Sequence, residues 1–210
     1  MPAIYGTPVI FIKKPDTSEQ WIINSVVNLE PYTGLGKEKT FDIIFTSNNT
    51  SYSRMLLGGG ANLVMYDGTL AGSGGNMQEA YRQITLEKPV TGELLTWLEA
   101  NAVRLPLTGT WVFNEKLTTA NPPLRTDIAF TSNGTEFTNM NTGGGGMEPT
   151  KSYYLFYNDT KVNSDSAYTG NWVNQAYRTI TFTEPVQYEG NEEFVRWFVD
   201  NAIKSEGGKF

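Results

Sequence analysis

The chain repeats itself, and the repeat limits its possible folds more than any composition figure does. Trp21-Ile22-Ile23-Asn24 returns as Trp111-Val112-Phe113-Asn114, and Asp42-Ile43-Ile44-Phe45-Thr46-Ser47-Asn48 returns as Asp127-Ile128-Ala129-Phe130-Thr131-Ser132-Asn133. Ala80-Tyr81-Arg82-Gln83-Ile84-Thr85-Leu86 returns as Ala176-Tyr177-Arg178-Thr179-Ile180-Thr181-Phe182, and Pro89-Val90 as Pro185-Val186. Trp97, Asn101 and Ala102 recur as Trp197, Asn201 and Ala202. The spacing between partners varies from roughly 85 to roughly 100 residues, so length changes fall between matched blocks, where loops are expected. A unit of about 100 residues is a domain-sized module that can bury its own core without metals or disulfides. The expected layout is an N-terminal arm over 1–20, one module over 21–106, a second over 107–204, and a tail over 205–210. Tandem small modules build surfaces, spacers or multivalent binders more often than single catalytic clefts.

The 210-residue chain contains neither cysteine nor histidine. That removes disulfides, thiolate nucleophiles, thiolate zinc sites and every Ser-His-Asp or Cys-His arrangement. Catalysis would have to rest on carboxylates, Tyr or Lys, and no cofactor is expected. A net charge of −6 argues against nucleic-acid binding, since phosphate backbones demand clustered Lys and Arg. No apolar run approaches the roughly 18 residues of a membrane span, so none is expected. Met1-Pro2-Ala3-Ile4-Tyr5 lacks the basic and apolar regions of a signal peptide, which leads to the expectation of synthesis in the cytoplasm.

The second copy reads as strands over Thr110–Leu117, Thr126–Thr131, Glu136–Met140, Ser152–Tyr157 and Asn174–Thr183. In the last of these, Tyr177, Thr179, Thr181 and Thr183 alternate with Arg178, Ile180 and Phe182. Ser132-Asn133-Gly134-Thr135 predicts a hairpin turn, with Phe137 paired across it to Phe130, and Pro185 is expected to end the last strand. Phe194, Val195, Phe198 and Ala202 match Leu94, Leu95, Leu98 and Ala102 at helical spacing. The expected fold class is therefore α+β: two tandem modules, each a mainly antiparallel sheet of about five strands with one C-terminal helix across it. The short apolar connector Val103–Gly109 predicts a fixed relative orientation.

Several motifs have both a functional and a structural reading. Gly143–Gly146 leads into Lys151-Ser152, but a phosphate loop needs glycine directly before the lysine and a helix after it. Gly58–Gly60 lacks even the lysine. These runs read as turns or close-packed backbone, and Gly72-Ser73-Gly74-Gly75 as a mobile loop. The duplicated Trp21/Trp111 and Trp97/Trp197 read as core, and Asp42/Asp127 with Arg82/Arg178 as structural ion pairs or turn caps. Unmatched features are the better contact candidates. Residues 1–20 carry Tyr5 and the Val9-Ile10-Phe11-Ile12 segment, which reads as an extra strand able to join a sheet edge. The charged Glu30–Thr40 loop carries Tyr32. The polar 163–174 loop carries Asp165, Tyr168, Trp172 and Asn174, a mix suited to protein or glycan contact.

The succession Gly109-Thr110-Trp111-Val112-Phe113-Asn114, Phe130-Thr131-Ser132-Asn133-Gly134, Ala176–Phe182 and Phe194–Ala202 resembles a repeated module of tailed-bacteriophage and prophage virion-associated proteins. The resemblance spans residues ~21–104 and ~109–203. The first copy departs from it, lacking Gly-Thr before Trp21 and carrying Ile23 and Leu86 in place of the aromatics Phe113 and Phe182. It implies a non-enzymatic virion structural protein, made in the host cytoplasm, acting as a head- or tail-associated adaptor, decoration or host-contact component. The implied partners are other virion proteins, further copies of the chain as a homo-oligomer, and a host-surface protein or glycan. Two other classes remain open: a glycan-binding module using the loop aromatics, and a small hydrolase or nucleotide-sequestering protein.

Overall fold

The computed structural model describes residues 18–118, 123–142, 155–163 and 172–205. The expected extra strand at Val9–Ile12 and the Gly143–Gly146 run lie outside them. The chain is β-rich, and all strand pairs are antiparallel among the described residues.

The first copy forms β1 (Glu19–Ile23), β2 (Lys39–Ser47), β3 (Thr50–Gly58), β4 (Leu63–Tyr66), β5 (Thr69–Ser73), β6 (Asn76–Met77) and β7 (Gln83–Leu86). Helix α1 (Gly92–Asn101) and β8 (Ala102–Arg104) follow. The second copy forms β9 (Leu107–Phe113), β10 (Leu124–Thr126), β11 (Phe130–Ser132), β12 (Thr135–Phe137), β13 (Met140–Thr142), β14 (Leu155–Tyr157), β15 (Thr160–Lys161) and β16 (Thr179–Val186). Helix α2 (Glu192–Asn201) and β17 (Ala202–Lys204) complete it.

Instead of about five strands per copy, the first makes one eight-stranded sheet in the order β6-β5-β4-β3-β2-β7-β1-β8. The second makes a five-stranded sheet, β12-β11-β16-β9-β17, and a four-stranded one, β10-β13-β14-β15. The two arrangements follow the same order, but β2 and β3 each correspond to two strands of the second copy and β6 has only the isolated bridges of Trp172 and Val173 opposite it. In β2 the register shifts between Asp42 and Phe45, a bulge within a continuous strand. At the matching Asp127–Ala129 the ladder breaks altogether, so the single expected strand over 126–131 becomes β10 and β11. Likewise, Glu136–Met140 divides into β12 and β13.

The helix is not the last element of either copy. Ala102 and Ala202 lie beyond the helix ends and open β8 and β17, which pair with β1 and β9. The Asn174–Thr183 segment also differs from expectation. Gln175–Tyr177 is a short 3-10 helix, and β16 runs on through Pro185 to Val186. The proline is tolerated because the register shifts between Phe182 and Val186, where no ladder donor is required.

Turn chemistry sets the hairpins. Asn48-Asn49, Asn133-Gly134, Asp67-Gly68 and Asn158-Asp159 all have positive φ, which matches a two-residue turn to the strand twist. Phe130 pairs with Phe137 across the second of these, rings stacked at 5.4 Å. Gly74-Gly75 is also a two-residue hairpin turn, between β5 and β6, rather than a mobile loop. Gly58 allows a close approach: a Cβ there would collide with the Tyr32 carbonyl oxygen.

Each helix lies over a sheet face. Trp111, Phe113 and Phe182 meet Phe198 of α2 at ring separations of 5.2–5.4 Å. Trp21, Ile84 and Leu86 form a core with Leu94, Trp97 and Leu98 of α1 in the same way. Helix α2, however, is buried on a second face, through Val195 and Val199, where α1 has the half-buried Leu95 and the exposed Glu99. Ile22 of β1 and Val103 of β8 pack into the core of the second copy, together with Leu105 and Leu107 of the connector. The copies therefore share apolar surface.

Polar contacts seal this junction. Arg82, 1% exposed, donates from Nε to the Ile23 carbonyl and from Nη1 to both oxygens of Glu79. Its Nη2 reaches Asp200 Oδ1 at 2.8 Å and the Arg196 carbonyl of α2 at 3.3 Å. The same Asp200 oxygen accepts from the Ser25 backbone, and Arg196 lies 3.4 Å from Glu79. Arg82 is thus a structural ion-pair residue as expected, though its partners are Glu79 and Asp200. Asp42 pairs instead with Arg54, on the surface.

Removing Asp200 leaves the buried Arg82 guanidinium with only the exposed Glu79 as counter-charge. Asp200→Ala is expected to cost about 2–4 kcal/mol, whereas Asp42→Ala, which breaks an exposed pair, should cost under about 1 kcal/mol. Urea unfolding of the two variants checks the contrast.

Candidate docking surface

Many polar side chains that recur in both copies are satisfied within the fold, although Trp21 Nε1 and Asn24 Oδ1 are buried without a hydrogen-bond partner. Ser47 Oγ donates to the carbonyls of Tyr81 and Gln83, and Ser132 Oγ is similarly placed against those of Tyr177 and Thr179. The hydroxyls of Tyr66 and Tyr157 donate to the Tyr81 and Tyr177 carbonyls. Asn101 accepts from the Asn28 backbone and donates to the Trp97 carbonyl; Asn201 does the same with Thr118 and Trp197. The indole N–H groups of Trp97 and Trp197 reach the Asn28 and Thr118 carbonyls. All four duplicated tryptophans are buried. These groups are spent on holding loops and strands to the helices. Among the described residues no three acidic side chains are grouped so as to hold a metal ion, and no helix is long and apolar enough to cross a membrane.

Exposed apolar side chains follow the opposite rule, falling where the copies differ. Val26, Ile44 and Leu70 are exposed in the first copy, at positions where the second has Lys116, Ala129 and Lys161. Ile203, 69% exposed on β17, corresponds to Val103, which is covered at the junction.

Two of these features have built geometry. Leu35 is fully exposed at the tip of the loop that follows the 3-10 turn Glu30–Tyr32. Gly34 and Gly36 flank it with φ of +115° and +75°, so the backbone turns sharply on both sides of the side chain. The loop base is pinned. Thr33 Oγ1 donates to the Leu29 carbonyl and lies 3.0 Å from Asn62 Oδ1, while the Tyr32 carbonyl accepts from Gly59. The other feature is a groove of about 370 Å³ beside the β2 bulge. Ile43, Ile44, Pro89 and Val90 supply its apolar surface, and Asp42, Ser53, Glu87 and Lys88 its polar rim. The bulge creates it by turning Ile43 and Ile44 out of the β3 ladder, while Glu87 N–H bonds the Ile44 carbonyl and holds the far wall.

The residues singled out from sequence are placed differently. Tyr5, Phe11, Asp165 and Tyr168 lie outside the described residues. Tyr32 is not a surface contact: it is buried in the first core, and burial raises its phenol pKa, aided by the charge and hydrogen bond of Glu93. Asn174 accepts from the Ala176 N–H and so caps the short helix of residues 175–177. Trp172 is 40% exposed and bridges Lys116 at the sheet edge. Sequence reasoning passed over Leu35 and Ile44. Their signals were a leucine between two glycines, and the one mismatch, Ile44 against Ala129, inside an otherwise matched seven-residue block.

Comparison with family models, curated proteins and solved structures finds no match to this chain.

Because Leu35 and Ile44 serve no core, Leu35→Ser and Ile44→Ser should each change stability by under about 0.5 kcal/mol, read as unchanged thermal melting. The core tyrosines predict the opposite sensitivity. Burial pushes the phenols of Tyr66 and Tyr157 far above their usual range. Their contribution to stability is complete below the unfolded pKa of about 10 and is lost as pH rises beyond it. Tyrosinate absorbance at 295 nm should therefore show these two phenols ionising only with alkaline unfolding.

Proposed function

We propose that this chain is a non-enzymatic structural component of a tailed-bacteriophage virion, acting by protein docking from the head or tail. On this reading residues 21–106 and 107–204 are two copies of one module, rigidly joined, and the scaffold itself carries no chemistry. The observation that carries the proposal is the division of labour between matched and unmatched positions. Many duplicated polar groups are engaged inside the fold, while among the described residues four of the six exposed large apolar side chains, Val26, Leu35, Ile44 and Leu70, lie on the first copy where the copies differ in sequence. A pair of modules diverging in this way retains its architecture and acquires contact surfaces. The resemblance of the repeated blocks to virion-associated modules supplies the context, and the partners proposed are other virion proteins and further copies of the chain.

Mass spectrometry of density-purified intact particles, from a host producing the phage that encodes the chain, is expected to detect it at a fixed ratio to the major head or tail protein. Its presence only in the soluble lysate would overturn the reading.

A further inference from the structure

We propose that the outer face of the second copy's sheet, centred on Val112 and Ile203, docks a helix of a different protein that presents two aliphatic side chains four residues apart. The inference deepens the docking reading and takes its biological meaning from it.

The junction inside the chain shows what such a face takes. In the first copy Trp21 and Ile23 lie in the core with α1, so Ile22 between them points the other way, opposite Val103 of β8. That outer face meets the second copy. Ile22 shares a core with Val195 and Val199 of α2, and Val103 packs against it. Arg82 bonds Asp200 and the Arg196 carbonyl of the same helix.

The second copy repeats the face pair for pair. Trp111 and Phe113 meet Phe198 of α2, so Val112 between them points away, opposite Ile203 of β17. Thr179 flanks Val112 as Gln83 flanks Ile22, and Arg178 stands where Arg82 does. This pair is left open: Ile203 is 69% exposed, whereas its counterpart Val103 is half-buried at the junction. A helix with the outer stripe of α2, aliphatic at i and i+4, is therefore the occupant whose shape and chemistry fit. It need bring no counterpart of Asp200, because Arg178 bonds Glu115, Gln175 and the Phe113 carbonyl within its own copy.

The chain's own free helix is excluded by one residue. Helix α1 offers Leu95 where α2 has Val195, but Glu99 stands in the place of Val199. Docked as α2 is, α1 of a second copy would carry that carboxylate into an apolar contact, where desolvation opposes binding. The occupant is accordingly a different protein.

Glu99→Val completes the stripe on α1 and turns the chain into its own helical probe. Sedimentation velocity from about 10 μM to about 1 mM covers the range of a small interface. The Glu99→Val chain is expected to form a concentration-dependent series of head-to-tail species. Adding Ile203→Lys should weaken that association at least about tenfold. The double variant keeps its completed helix and should bind the wild-type chain one to one. It should bind the Ile203→Lys chain at least about tenfold more weakly. Far-UV circular dichroism checks that each variant folds, and Glu99→Leu, with its higher helix propensity, serves as a second probe. Absence of association by both probes, association that survives Ile203→Lys, or self-association of the wild-type chain through Ile203 overturns the proposal. Such an outcome leaves the virion reading untouched, and absence from virions leaves the helix site untouched.

Discussion

The guanidinium of Arg82 is the interaction on which the arrangement of the two copies depends. It is almost wholly removed from water, so its charge must be matched nearby, and it finds one carboxylate in each copy: Glu79 beside it and Asp200 across the junction. Arg178 occupies the corresponding place in the second copy and bonds the Phe113 carbonyl as Arg82 bonds that of Ile23. Its remaining donors go to Glu115 and Gln175 within its own copy. The same residue in the same backbone setting thus fastens the copies together once and is satisfied locally the other time. At the position of Asp200, α1 carries Ala100.

The apolar side of the junction follows the same logic. Helix α2 has two buried faces, and its sequence supplies them: Phe194, Trp197 and Phe198 on one, Val195 and Val199 on the other, in the core that Ile22 of the first copy also joins. Helix α1 has Glu99 in the position of Val199 and keeps that side wet. Ile22 and Val103 complete the contact from β1 and β8, and the equivalent Ile203 is left in solvent. The connector is apolar because it lies in this shared core, with Leu105 and Leu107 buried there.

With the duplicated residues committed to packing and internal hydrogen bonds, specificity has to come from the differences. Among the described residues, the first copy carries both the pinned Gly34-Leu35-Gly36 tip and the groove at the β2 bulge. One copy has specialised in joining its twin through α2, and the other in presenting a projection and a recess outward.

The sequence by itself determined the duplication, the β-rich class, both helices, the Asn133-Gly134 hairpin turn and the burial of Trp21, Trp97, Trp111 and Trp197. Each of these is a local signal or a periodicity, written in residues close together in the chain. It did not determine the strand count, because β8 and β17 are three-residue strands that follow a helix without a turn signal. Nor could spacing reveal the bulge that divides β10 from β11, since a register shift depends on the partner strand. Tyr32 looked like a surface contact because aromatic side chains in loops look alike whether buried or free. Only the tertiary structure decided those cases. It also decided that Arg82 answers Asp200 rather than Asp42, that Ile22 belongs to the neighbour's core, and that Ile44 faces water. Burial is set by what packs against a residue from elsewhere in the chain, and no local pattern encodes that.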